Sequence, residues 1–358
     1  MEYIYVDNEQ KLEKTCKELE TQKTIAIDLE CENNLHHYGS YISIIQISTK
    51  EKNWVVDILA IKQIEPLKKI LENEEIQKIF HDVSFDLRIL KYELNIQPKN
   101  LFDTQIAALF IGEKNVGLGS LLEKYFSINK ESKFQMADWT IRPINPEMMT
   151  YAVKDTLYLI KLKELLETRI EELNRTTWLR EELKHLEQKE YYYKEPEFED
   201  LKGVSKLNQK EKIFAQKLYE ERETIAKKTD KPAYKIISNR KILEITQNPP
   251  RTKEEWTKIR GIHPRIKAMA PRLYYETQKL NIKQEPQQKR ERKNYTEEQK
   301  TQLQELEDTR VKIGNQLGIE PYLIMTKDQV HEVVRNKNYK SLREWQKELV
   351  LKETKLFT

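Results

Sequence analysis

Thr24-Ile-Ala-Ile-Asp-Leu-Glu30 is a short apolar run that ends in two carboxylates. Its β-branched and small residues read as a buried strand. Side chains two apart along a strand point the same way, so Asp28 and Glu30 stand side by side on one face. Two acids that lose hydration together repel each other and call for a compensating cation. A third acid, Asp86, closes Phe80-His-Asp-Val-Ser-Phe-Asp86, where a strand end leads into the first turn of a helix. A carboxylate there also complements the helix dipole, and Asp82, nearer the strand, competes for the functional part. The inward start of the following helix favours Asp86. Tyr151-Ala-Val-Lys-Asp155 puts a phenol and a carboxylate one turn apart on one helical face. Asp155 sits among apolar neighbours, where an acid needs a partner.

Four acids from a strand, a helix start and a late helix suit two divalent cations, Mg2+ or Mn2+, roughly 4 Å apart. The matching chemistry is phosphodiester hydrolysis: the ions activate a water and offset charge on the departing 3′ oxygen. Oxygen-only ligands suit hard cations, and the lack of a His/Cys ligand set argues against zinc. Tyr151, with an ordinary pKa of about 10, is cast as the orienter of the attacking water and not as its base. His81 reads as a packed, hydrogen-bonded histidine.

Residues 24–30, 41–48 and 53–57 read as three successive strands, the last two joined by a tight polar link. A helix over 64–72, a short strand over 77–80 and a helix from Ser84 follow. Helices are predicted around 104–111 and 118–126, and one long helix from Glu147 to about Leu173. Strands first and helices later, with helices crossing between strands, define an α/β domain. Beyond Trp178 helical periodicity takes over. Leu218, Arg222, Ile225 and Ala226 match Leu306, Arg310, Ile313 and Gly314 at one constant offset. Ile236, Ser238, Ile242, Glu244 and Ile245 match Ile324, Thr326, Val330, Glu332 and Val333 at the same offset, and Trp256 and Trp345 follow, one residue out of step. Two copies of a small all-helical unit are implied. The expected division is a catalytic α/β domain over 1–178, a linker over 179–202, a helical module over 203–282, a basic linker over 283–295 and a second, degenerate module over 296–358.

With 34% charged and 38% hydrophobic residues the chain has a strongly ionic surface and material for several small cores. A net charge of +4 is small beside 63 basic and 59 acidic residues, so total charge does not diagnose nucleic-acid binding. Two cysteines, Cys16 and Cys31, leave no disulfide framework or zinc knuckle. No apolar run reaches transmembrane length and the start lacks a signal-peptide core. A cytoplasmic location is the expectation.

The order Asp-x-Glu, Asp, Tyr-x-x-x-Asp resembles the three exonuclease motifs of the DEDD superfamily, in the subtype with Tyr in the third motif. Phe80-His-Asp-Val-Ser-Phe-Asp-Leu87, Leu101-Phe-Asp-Thr-Gln-Ile-Ala-Ala108, Ala137-Asp-Trp-Thr-Ile-Arg-Pro143 and Tyr151-Ala-Val-Lys-Asp-Thr-Leu-Tyr-Leu159 look like ribonuclease D and are also similar to the exonuclease subunit of the nuclear exosome. The helical repeat looks like one good HRDC domain and a degenerate one. The resemblance implies a ribonuclease H-like α/β domain with a mixed sheet, followed by all-α modules. It also implies 3′→5′ hydrolysis that releases 5′-nucleotides. Asp28, Glu30, Asp86 and Asp155 match the metal-binding acids and Tyr151 the water-orienting tyrosine; Asp103 matches a position read as a helix cap.

The substrate implied is the single-stranded 3′ end of structured RNA, tRNA precursors foremost, and relatives suggest a monomer. A DNA exonuclease and an inactive RNA-binding scaffold are the alternatives. His36, His37 and Tyr38, in the loop after the first acids, are placed to stack on or hydrogen-bond the terminal bases. That loop lacks the Arg or Ser often seen in relatives, which bears on nucleotide contacts and not on the chemistry. Arg142, beside the third motif, is assigned to substrate phosphate.

Overall fold

The computed structural model describes residues 2–130, 132–192, 194, 196–280 and 295–357. β1 (Ile4–Val6) and α1 (Glu9–Leu19) come first, then β2 (Thr24–Asn33), β3 (Ser40–Ser48) and β4 (Asn53–Asp57). α2 (Glu65–Glu72), β5 (Gln77–Phe80), α3 (Ser84–Leu94), β6 (Leu101–Asp103), α4 (Thr104–Phe110) and α5 (Leu118–Phe126) lead to a long loop. α6 (Pro146–Leu157), α7 (Leu159–Glu172) and α8 (Thr176–Gln188) follow it. The strands lie in the order β1-β4-β3-β2-β5-β6. β3 is antiparallel to both its neighbours, and the other pairs are parallel. This is the mixed α/β sheet that the sequence predicts.

Alternation along the strands sets what faces the site. Ile25, Ile27, Leu29, Ile45 and Ile47 pack to one side with Leu12, Leu67 and Leu90 of α1, α2 and α3. Ala26, Ile79 and Phe102 belong to the opposite core, with α4 and α7. Ile44 and Val55 meet α6 through Tyr151, Ala152 and Val153. A strand buried on both faces reads as an apolar run, which is why residues 24–29 stand out. Asp28 and Glu30 share the face of Ala26 and so look toward α6 and α7.

Two expectations change. The single helix over 147–173 is two: α6 and α7 meet at Tyr158, although no Pro or Gly stands there. Near the break the Thr156 hydroxyl turns back to the Val153 carbonyl at 3.3 Å and meets the Ser48 hydroxyl at 2.6 Å, a side-chain competition with the helical ladder. The linker expected over 179–202 is helical in its first half: α8 continues to Gln188, and its Leu179 and Leu183 are buried in the α4/α7 core. Of the basic linker, residues 283–294 lie outside the described residues.

The first module has α9 (Gln209–Thr229), α10 (Ala233–Ile236), α11 (Asn239–Gln247), α12 (Lys253–Lys258) and α13 (Pro264–Gln278). The second has α14 (Glu297–Leu317), α15 (Pro321–Ile324), α16 (Lys327–Asn336) and α17 (Glu344–Glu353). The matched residues do matching work. Ser238 and Thr326 cap α11 and α16, and Arg222 and Arg310 are buried against Glu223 and Glu307. Trp256 and Trp345 are core residues.

Their surroundings differ. Trp256 packs with Phe214 and with Tyr274 of α13, inside a core that the first module closes with Phe198 and Leu201 just before it and with Tyr38. The second module has no counterpart of α13 among the described residues. Trp345 instead stacks on Trp178 at 5.0 Å and takes the Phe110 ring edge-on at 5.3 Å. One continuous core thus runs from Ala107, Leu162 and Leu166 to Leu306, Val333 and Val350. Arg175, buried at this seam, donates to the carbonyls of Phe110 and Leu317 at 2.5 and 2.6 Å.

Candidate active site

β2 delivers Asp28 and Glu30, and the register of the sheet shifts immediately after them. Glu30 faces Ile44 but Cys31 faces Ile42, so Ser43 of β3 is the extra residue of a bulge. The bulged Ser43 hydroxyl donates to the carbonyl of Trp139 at 2.5 Å, tying the loop before α6 to the strand beside the acids. Arg142 completes that tie. Its guanidinium grips Asp57 through Nε and Nη2 at 2.5 and 2.7 Å and donates to the carbonyl of Trp139 at 2.7 Å and to Ser43 Oγ at 3.1 Å. Burial works to raise the Asp57 pKa, but the hydrogen bonds from Arg142 and Tyr5 hold it below the usual carboxylate range. Arg142 is therefore a structural clamp at the entry of α6, and its donors are spent on protein instead of the phosphate assigned to it.

α6, entered in this way, brings Tyr151 and Asp155 over β2. Ligand oxygens of Asp28, Glu30 and Asp155 lie within 4.8 Å of one another. Asp86, 8% exposed in the first turn of α3, is close enough that the Asp28 charge adds to burial in pushing its carboxyl well above the ordinary value. Burial first, and the neighbouring acids second, push Asp28 up to about 8 and Glu30 well above its usual value. Burial raises Asp155 as well, opposed by Lys130. Such a cluster of buried carboxyls, with Lys130 as the cation paired with Asp155, is what a hard divalent cation relieves. The oxygen-only donor set fits Mg2+ or Mn2+.

Asp103 caps α4, accepting from the amides of Gln105 and Ile106 at 2.8 and 3.3 Å, and also from those of Asp82 and Val83 at 3.1 and 3.0 Å. These bonds fix the turn that carries Asp86. His81 meets Thr104 Oγ1 at 2.9 Å, and burial pushes its pKa down to about 4, so it is a neutral packed histidine.

Lys130 is the residue that sequence reasoning missed. Its Nζ lies 2.7 Å from Asp155 and 3.4 Å from the Tyr151 hydroxyl. Burial works against its charge, but Asp155 and then Tyr151 hold its pKa above the ordinary value. It comes from an irregular loop with no periodicity or spacing to mark it. The one available signal is chemical: a buried acid on α6 demands a partner.

The loop after β2 is tied to Asp138 and to the first helical module. The His37 ring lies between Asp138, at 3.2 Å, and Asp230 of the first module, at 2.7 Å. The Tyr38 amide and hydroxyl bond Asp230 and Glu223, each at 3.1 Å, and the Tyr234 hydroxyl donates to the Leu35 carbonyl at 3.1 Å. His36 forms a group with Glu32 and Asp138 whose ligand atoms also lie within 4.8 Å of one another. Glu32, however, is already taken up by the His36 amide at 3.0 Å. The three residues assigned to terminal bases thus serve the loop and its dock on the helical module.

Residues 3–171 match the 3′-5′ exonuclease family and residues 212–269 match the HRDC domain family. The chain is 31% identical over 254 residues to ribonuclease D of Zymomonas mobilis, covering 69% of this chain and 64% of that one. It is 27% identical over 265 residues to the exosome complex exonuclease RRP6 of Saccharomyces cerevisiae, covering 69% of this chain and 36% of the yeast protein. The matched stretch thus spans less than two thirds of either relative. The crystal structure of RNase D from Escherichia coli superposes with a TM-score of 0.73 at 20% identity, over 98% of this chain and 97% of that one. That likeness is one of fold.

Proposed function

From these likenesses we propose that the chain belongs to the ribonuclease D family and is a 3′→5′ exoribonuclease releasing 5′-nucleotides, with tRNA precursors as substrates. The observation that carries this reading is the meeting of Asp28, Glu30 and Asp155 within 4.8 Å, with Asp86 electrostatically linked to them.

These four side chains would hold two divalent cations, magnesium or manganese. When bound, the cations supply the positive charge that makes a water nucleophilic at neutral pH and offsets charge on the scissile phosphate. The chain's own residues do the rest. Burial, and then the Asp155 charge, raise the Tyr151 pKa, so the phenol stays protonated and orients the attacking water instead of deprotonating it. The edges of Phe134 and the tilted ring of Trp139 fix the Tyr151 ring. Lys130, paired with Asp155, opposes the effect of burial on that acid. The first helical module, tied to the loop beyond Glu30, widens the grip on folded RNA, and the protein acts as a monomer.

The test uses one 3′-labelled oligonucleotide made as RNA and as DNA. Wild type should release nucleotide from the RNA only with a divalent cation, and Asp28→Ala, with an unchanged fold, should fall to background. Wild-type turnover by that variant would refute the site, and equal turnover of the DNA would replace the substrate class.

A further inference from the structure

Beside Tyr151 a cleft of about 360 Å3 is lined by Lys130, Lys133, Phe134, Thr150, Tyr151 and Lys154, with Glu147 at its edge. Glu147, Thr150, Tyr151 and Lys154 fall at i, i+3, i+4 and i+7 of α6 and so form one stripe of the helix. The loop before α6 makes the other wall. Lys133 pairs with Glu147 at 2.8 Å and lies over the Phe134 ring at 4.9 Å. Lys130 spans Asp155 and the Tyr151 ring. Lys154 has no carboxylate partner among the described residues. Among the described residues the cleft therefore offers three ammonium groups and an aromatic edge, against one lining carboxylate; the Thr150 hydroxyl is already donated to the Pro146 carbonyl at 3.0 Å.

We propose that this cleft is a phosphate subsite that receives the 5′-phosphate of the nucleotide just cut from the RNA. The inference rests on the exonuclease reading and deepens it. An in-line displacement inverts the phosphorus toward the side from which the water came, and with Tyr151 orienting that water, the new P–O bond forms on the side where the cleft opens. The P–O3′ bond breaks, and the leaving 3′ oxygen takes up a proton. Hydrolysis also changes the charge: the diester carries one negative charge, whereas a phosphomonoester carries close to two at neutral pH. Cations on the water's side thus hold the product phosphate more strongly than the substrate's, which draws the cut nucleotide away from the RNA end.

Calorimetric titration of the full chain with 5′-AMP and with adenosine, in magnesium and again in chelator, tests this. The dinucleotide ApA, a diester without a terminal phosphate, is titrated in chelator alone. 5′-AMP should bind at least about tenfold more tightly than adenosine or ApA, the scale of one hydrogen bond to a charged group. Lys154→Gln should remove most of that advantage and Lys133→Gln a smaller part, with melting curves checking the fold of both. Equal 5′-AMP affinity in wild type and Lys154→Gln overturns the proposal. A loss for ApA as large as that for 5′-AMP also overturns it, and assigns the cleft to the RNA backbone. A wild-type chain that cleaves RNA but shows no Lys154-dependent 5′-AMP binding sinks the subsite alone; one that binds 5′-AMP but never cleaves RNA sinks the exonuclease reading.

Discussion

The two helical modules align at a constant offset, cap their helices alike and bury the same arginine and tryptophan, yet they meet the α/β domain in opposite ways. The first closes its own core and touches the catalytic side mainly through polar contacts around His37, Tyr38 and Tyr234. The second leaves Trp345 uncovered by any helix of its own like α13 and completes itself with Phe110 and Trp178. A repeat that loses one helix must find apolar cover elsewhere. Here that cover fuses it to α4 and α8. The difference separates a module held to the α/β domain largely by polar contacts from one that shares its core.

The sharpest way to break this comparison is to truncate the two tryptophans. Each of Trp256→Ala and Trp345→Ala should cost about 3–5 kcal/mol, but in different places. Calorimetry should show Trp345→Ala lowering the main transition that includes the α/β domain, and Trp256→Ala melting the first module alone. A matching shift of the main transition in both would erase the distinction.

Gly112 probes the same seam. At φ +89°, a Cβ there would lie 2.4 Å from the Gly318 carbonyl oxygen. Gly112→Ala should destabilise by about 2–4 kcal/mol through backbone strain and the forced opening of the contact, read by denaturant titration. A cost below that of an ordinary surface substitution would mean the second module is not held as described.

The acid cluster gives a pH test that involves neither module. Asp28, Glu30, Asp86 and Asp155 have raised pKa values in the folded, metal-free chain. Their contribution to stability is present below the ordinary carboxylate range and is lost as pH rises, through about 8 for Asp28. In chelator the melting temperature should therefore fall from pH 5 to pH 8, by about 2–4 °C per kcal/mol, and magnesium should suppress the fall. Asp28→Asn should flatten it. A profile independent of pH and of magnesium would contradict the electrostatic picture.

The smallest effect belongs to the polar dock. Asp230→Asn should alter global stability by less than about 1 kcal/mol but speed amide exchange over residues 34–39. The bond from Asp230, and then that from Asp138, raise the His37 pKa, so the dock is strongest below the ordinary His value of about 6.5 and weakens as pH rises through the raised one. The difference between variant and wild type should shrink in that direction. Protection unaffected at any pH would place the tie elsewhere.

Much of this was legible in the residues. Asp28 and Glu30 announce themselves because a strand buried on both faces is a rare place for two acids, and the repeat is visible because core and capping positions keep their spacing. Other features carry no period. The α6/α7 break depends on a hydroxyl contact with Ser48, over a hundred residues away. Arg142 resembles a phosphate ligand until its partner, Asp57, is seen across the sheet. Lys130 comes from a loop. The opposite docking of two similar modules is decided by what covers Trp256 and Trp345, which no local pattern encodes.

The seam at Trp345 also bears on assembly. Phe110, Leu162 and Leu166, early in the chain, share a core with Leu306, Val333 and Val350, so that core closes contacts across some of the longest loops in the molecule. Such closure is slow, since chain entropy is spent before the contacts form. During synthesis the flank of the α/β domain that carries α4 and α8 stays uncovered until α17 has emerged.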